Sequence, residues 1–153
     1  MRFTYLRERP DLAPLVARWI WDEWRHLLTQ QTLEEFTEWF RGSERGSGLP
    51  TTMVLLVDEM PVGTVSLECA DMDIRPDLSP WLASLYVEPA QRGRGYGQAL
   101  VRAAEVEARA LAIPELFLYT PGQEHFYAAL GWQFVGTSSY RAEPVTIMSR
   151  SLG

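Results

Sequence analysis

Cysteine is almost missing from this chain of 153 residues: Cys69 stands alone, and histidine is limited to His26 and His125. One thiol excludes an internal disulfide, and one cysteine with two histidines offers no cluster at zinc-ligand spacing, so neither a disulfide framework nor a metal site is expected. Long apolar runs are missing too. None approaches the roughly 20 residues that span a bilayer, and the opening MRFTYLRERPDLAPL lacks the apolar core of a signal peptide, so no membrane partner and a cytoplasmic location are expected. Positive charge is in short supply: 14 Lys and Arg against 20 Asp and Glu leave a net charge of −6. That balance argues against nucleic acid as the main partner, because binding a phosphate backbone needs a broad basic face. Repetitive and low-complexity stretches are absent as well, and a 46% hydrophobic content describes a globular chain. At this length one domain, residues 1–153, buries about two thirds of the surface its unfolded form would expose.

The patterning that is present alternates strands with helices. RFTYLRE sets Phe3 and Tyr5 between polar neighbours, as a short strand does. From Asp11 onward Leu12, Leu15, Val16, Trp19, Ile20, Trp24 and Leu27 recur at spacings of three and four, the stripe of an amphipathic helix. Thr32 and Glu35 have the spacing of a capping box, which predicts a second helix through LEEFTEWF ending at Gly42. TTMVLLVD and VGTVSLE are β-rich runs separated by a hairpin turn at EMP, and WLASLYV reads as a mostly buried strand. A helix follows with Leu100, Val101, Ala104, Ala108 and Leu111 on one face. After it come the strand ELFLYT, a short helix EHFYAAL stopped by Gly131, and a closing strand pair, WQFVGTSSY and VTIMSRSL. The order β, α, α, three strands, α, β, α, β, β predicts a single-domain α/β fold on one mixed sheet.

Between the strand LASLYV and its following helix lies the cationic, glycine-rich segment QRGRGYG, residues 91–97. Glycines let a backbone approach a ligand closely, and a helix N-terminus presents a row of unpaired N–H groups, so this junction is suited to an anion such as pyrophosphate. Arg92 or Arg94 would add charge-assisted bonds. The segment is not a Walker A loop, which needs Gly-Lys-Ser/Thr, nor a dinucleotide fingerprint, since the third glycine counted from Gly93 is replaced by Gln98.

LYVEPAQRGRGYGQALV resembles the acetyl-coenzyme A signature of the GNAT superfamily of N-acetyltransferases, R-G-x-G-x-G after a strand and opening a helix. FYAALGW, residues 126–132, resembles the same family's F-Y-x-x-L-G-F element, one strand further on. The likeness covers residues 51–150 well and the first fifty only in general layout. It implies a mixed, mostly antiparallel central sheet flanked by helices, with acetyl-CoA as co-substrate. By resemblance, the main chain at Leu85, Tyr86 and Val87 lines the pantetheine arm and acetyl group. Arg92, Gly93, Arg94, Gly95, Tyr96, Gly97 and Gln98 hold the pyrophosphate. Tyr127 matches the family position that meets the cofactor and donates a proton to the departing thiolate. A tyrosine near 10 facing a thiol near 8.5 makes full transfer unfavourable by roughly 2 kcal/mol in water, a gap that burying the thiolate narrows. Neither motif holds a cysteine, so direct attack by the amine, without an acetyl-enzyme, is expected. Many relatives carry a cofactor-contacting asparagine after the strand LFLYT; here the stretch is TPGQEH, where Thr120 or Gln123 could substitute.

The acceptor must present a neutral amine. Only about one lysine-like amine in 2,500 is neutral at pH 7, so a base is expected. The candidates are Glu68 at the end of its strand and Asp71 or Asp73 in the loop CADMDIRPDLSP, with Ser84 placed to orient a water. The acidic loop favours a primary amine on a small molecule. The alternatives are a peptide or protein N-terminus or lysine, or a non-catalytic sensor that only binds acyl-CoA. A homodimer through the last strands stays open. Trp19 and Trp24 are expected in the core and His125 on a helix surface, with Trp21 and Trp39 as candidates to line an acceptor pocket.

Overall fold

The computed structural model describes residues 1–25, 31–42 and 49–153; His26 and Leu27 lie outside them. Seven strands, β1 (Arg2–Tyr5), β2 (Thr51–Val57), β3 (Met60–Glu68), β4 (Trp81–Val87), β5 (Glu115–Thr120), β6 (Gln133–Tyr140) and β7 (Glu143–Ser151), form one sheet in the order β1-β2-β3-β4-β5-β7-β6. Neighbours are antiparallel except β4 and β5, which run parallel because α3 (Tyr96–Ala110) carries the chain across between them. The remaining helices are α1 (Ala13–Trp24), α2 (Leu33–Gly42) and α4 (Glu124–Ala129).

Both faces of the sheet are covered, which explains why TTMVLLV reads as a continuous apolar run and not an alternating one. On β2, Val54 and Leu56 pack with Val16, Ile20 and Phe40 of α1 and α2, whereas Met53 and Leu55 pack with Leu100, Ala104 and Trp132 on the opposite face. The predicted capping box is formed: Thr32 N–H donates to Glu35 Oε1 at 3.2 Å, and Glu35 N–H donates to Thr32 Oγ1 at 3.1 Å. The hairpin turn between β2 and β3 is Asp58–Glu59, not EMP. Both residues have positive φ, 51° and 65°, and the register Val57↔Met60 makes this a two-residue loop whose twist matches the strands. The same device closes β6 onto β7 at Arg141 and Ala142, with φ of 51° and 66°.

Two features open the sheet. β4 and β5 share a single registered pair, Trp81↔Phe117, and then diverge. Opposite β3, the register of β4 shifts between Thr64 and Ser66, a bulge at which Ser84 adopts φ +55°. A third cluster, Met72 with Trp81, Tyr140, Val145 and Ile147, anchors the acid-rich loop through its one buried methionine.

Candidate active site

Where β4 and β5 part, a cleft of about 1040 Å³ opens, with Ser84 to Val87 on one side and Leu118 to Thr120 on the other. Beyond Trp81 this edge of β4 has no strand partner among the described residues, so main-chain groups around Leu85, Tyr86 and Val87 are available to a ligand. Ser84 pays for that geometry with a left-handed backbone, which costs a non-glycine residue roughly 1–2 kcal/mol. No local sequence signal marks it, since serine is not a residue that favours positive φ.

One end of the cleft is the N-terminus of α3. Gly93 and Gly95 have φ of 81° and 83°, and Gly95 occupies the capping position without any side-chain cap. The first helical bond found is Ala99 N–H to Gly95 O at 3.1 Å, leaving the N–H groups of Tyr96, Gly97 and Gln98 for an anion. Gly93, Gly95, Tyr96, Gly97 and Gln98 all line the cleft. Since a β-carbon at Gly95 would meet open space, only its backbone angle demands glycine. Gly95→Ala is therefore expected to weaken coenzyme A binding about tenfold in calorimetry, the equivalent of the left-handed strain; an unchanged affinity would show that the loop's angle is irrelevant to the ligand.

The other end carries acid. Glu68 and Asp71 both line the cleft, each retaining a little solvent contact while protein surrounds it on most sides. Burial, followed by the charge of Asp71, pushes Glu68 up to about 8. Burial pushes Asp71 up to about 7 against the opposing pull of Arg141, which projects from the β6–β7 turn. Tyr119 on β5 is raised by the same burial and by Asp71, and stays neutral. Tyr140 donates its hydroxyl to Asp71 O at 3.3 Å, and the Arg141 guanidinium sits 5.2 Å from the Tyr140 ring centre. Between the two ends stands Tyr127 of α4, 8% exposed. Its hydroxyl makes no hydrogen bond among the described residues, and burial pushes its phenol up to about 12.

A model of the acetyltransferase (GNAT) family matches residues 13–132. The chain belongs to the GNAT acetyltransferase family. Solved structures share its fold. An aminoglycoside 6'-N-acetyltransferase complexed with coenzyme A superposes with TM-score 0.76 at 17% identity, covering all of this chain and 98% of that one. The aminoglycoside 6'-N-acetyltransferase from Enterococcus faecium gives 0.74 at 17%, with the same coverage. A proposed acetyltransferase, yncA, from Salmonella typhimurium with its cofactor acetyl-CoA gives 0.74 at 15%, covering all of this chain and 94% of that one.

Within this GNAT fold the residues singled out from sequence separate into groups. Glu68, Asp71, Ser84, Leu85, Tyr86, Val87, Arg92, Gly93, Gly95, Tyr96, Gly97, Gln98 and Tyr127 share the cleft wall. Asp73 and Arg94 are exposed and lie off that wall. Arg92 is folded back, its Nε donating to Val87 O at 2.8 Å and its guanidinium 5.5 Å from the Tyr86 ring centre. Thr120 and Gln123 both reach the cleft, but Thr120 Oγ1 is already occupied, accepting from Gln123 N–H at 3.0 Å. His125 is exposed, as expected.

Trp19 is buried in the core as expected, and only Trp21 departs outright from its sequence assignment. Trp39 lines the cleft, as does Trp24, whereas Trp21 turns edge-on to Phe36 with ring centres 6.2 Å apart and lies off the wall. The stripe rule placed Trp24 in the core because its helical phase matches Ile20. Trp24 does pack, partly buried, against the core of α1 and α2, and at the end of α1 the same phase also reaches the cleft.

Proposed function

We propose that this GNAT protein moves the acetyl group of acetyl-CoA to a primary amine on a small molecule by direct attack. The observation that carries the reading is the meeting, in one cleft, of an uncapped helix N-terminus, a strand edge without a partner, an unengaged buried phenol and two carboxylates of raised pKa. Tyr96 to Gln98 take the pyrophosphate on their N–H groups, and the edge of β4 takes the pantetheine arm and the acetyl carbonyl. The acceptor's ammonium gives a proton to Glu68, directly or through a water oriented by Ser84. The neutral nitrogen then bonds to the acetyl carbon, the carbon–sulfur bond breaks with its electron pair going to sulfur, and the proton left on nitrogen passes to the departing thiolate, giving the amide and coenzyme A.

Glu68 suits the first step because of its environment. Each unit of pKa mismatch costs about 1.4 kcal/mol, so a base near 8 faces a gap of about two units to a lysine-like ammonium where an ordinary carboxylate faces about six. Tyr127 suits the last step as a hydrogen-bond donor. A phenol near 12 does not give up its proton to a thiolate, yet it stabilises the charge that develops on sulfur in a dry site.

Aromatic side chains of α1 and α2, Trp24, Phe36 and Trp39, wall the acceptor end, which suits a compact amine better than an extended peptide. The aminoglycoside acetyltransferases among the structural neighbours support the same choice. The test is thiol release from acetyl-CoA across polyamines, aminoglycosides, amino acids and short peptides. All 14 basic side chains are arginines, so the protein offers no lysine of its own to the acetyl donor and the background is low. Release with small amines supports the reading. Release with peptides alone moves the acceptor to the peptide class, and silence with coenzyme A bound points to a sensor.

A further inference from the structure

Glu105 sits well inside α3, outside the cleft wall, with a carboxylate only 2% exposed. An ion in such a place is retained at a cost that an apolar side chain would avoid. Both of its oxygens are engaged: Oε1 accepts from Arg102 Nη1 at 2.9 Å, and Oε2 accepts from the indole N–H of Trp132 at 3.0 Å. Arg150 on β7 brings Nε to 3.9 Å from Oε2 and donates from Nη1 to Gly131 O at 3.0 Å. The fit is close, because a β-carbon at Gly131 would lie 2.2 Å from that Nη1. These contacts grip Gly131 and Trp132, just beyond the end of α4.

That grip bears on Tyr127. Trp132 donates its backbone N–H to Tyr127 O at 3.1 Å, and the two rings meet edge to face with centres 6.1 Å apart. α4 has only six residues and cannot fix its own orientation. We propose that Glu105 is a positioning residue which, through the Trp132 indole, locks the end of α4 to α3 and so holds the Tyr127 hydroxyl at the place of the departing sulfur. The proposal rests on the reading of Tyr127 as the thiolate's donor. It makes α3 a ruler: the pyrophosphate cradle opens the helix at Tyr96, and Glu105 follows nine residues on, about 14 Å along the axis.

The experiment uses the full chain labelled with 3-fluorotyrosine, in which the ¹⁹F resonance of Tyr127 is identified by its loss in Tyr127→Phe. Coenzyme A, with its free thiol, is the probe. In the native sequence, saturation with coenzyme A is expected to shift this resonance. In Trp132→Phe, which deletes the indole donor and keeps every charge, the shift is expected to fall by at least half while coenzyme A affinity stays within about threefold. Glu105→Gln is expected to behave alike. A native-sized shift in Trp132→Phe overturns the positioning role while leaving Tyr127 as donor. If coenzyme A does not move the resonance in the native sequence, the donor reading fails, and the positioning role with it. Should Glu105→Gln fail to fold, Trp132→Phe alone decides.

Discussion

Tyr127→Phe is expected to lower kcat about a hundredfold while leaving coenzyme A affinity within about twofold. Deleting one donor aimed at developing charge in a water-excluded site typically costs 10² to 10³ in rate. Tyr127 meets those conditions: it is buried, it lines the cleft, and its hydroxyl bonds to nothing else among the described residues. Phenylalanine keeps the ring contacts with Phe126 and Trp132, so the fold around α4 is preserved and the loss belongs to the oxygen. Because the phenol lies near 12, no break in the rate profile from its ionisation should appear below pH 10. Steady-state kinetics beside calorimetric coenzyme A titration tests this. Equal losses in kcat and in affinity would instead make Tyr127 a packing residue of the cofactor site.

Glu68→Gln is expected to have the second largest effect, lowering kcat by about 10² or more, the usual contribution of a positioned base. In the native sequence kcat should rise with pH and level off between about 7 and 8, where the Glu68–Asp71 pair sheds its protons. Glu68→Gln should abolish that break. Asp71→Asn should move it to lower pH, since the charge of Asp71 helps to raise Glu68. A break that survives Glu68→Gln assigns the base elsewhere. Stability must respond with the opposite benefit. Between the ordinary carboxylate range near 4 and the folded values near 7 and 8, the folded protein keeps protons that the unfolded chain has released. Its stability therefore falls as pH rises through this window and is level above it. Glu68→Gln should thus melt higher than the native protein at pH 9, with the gap closing toward pH 4. With Glu68 as the proposed base, function at this position would be held against stability.

Much of the geometry at the start of α3 was legible because it is contiguous. A strand, a glycine turn and a helix start within twenty residues dictate unpaired N–H groups whatever the rest of the chain does, and the Thr32–Glu35 box likewise needs only its own turn. The acceptor end is assembled from distant segments, and there sequence spacing ran out. Asp71 and Asp73 look alike in a loop, but packing of Met72 beneath that loop leaves Asp71 in the cleft and Asp73 in solvent. Trp21 and Trp24 differ only by which neighbour the end of α1 meets. The positive φ of Ser84 follows from a bulge in strand pairing, and the burial of Glu105 from an indole 27 residues away; neither is written in local composition.

The two ends also differ in how freely they can change. The proposed cofactor end is one unbroken stretch of β4, loop and α3, in which an inserted residue would shift every N–H group against a bound pyrophosphate. The acceptor end is a patchwork of α1 and α2, the loop after β3, and the two-residue turn that carries Arg141. Of these pieces α1 also touches the other end, its Trp19 indole donating to Glu88 Oε1 at 3.1 Å and stacking on Tyr86 with ring centres 5.5 Å apart. Arg141, from the tip of a hairpin, opposes the rise in the pKa of Asp71 and, on the proposed mechanism, would trim the pH at which Glu68 takes up the acceptor's proton. A lineage built on this architecture can drift from one amine to another, or from one working pH to another, by exchanging peripheral loops while inheriting its acetyl donor unchanged.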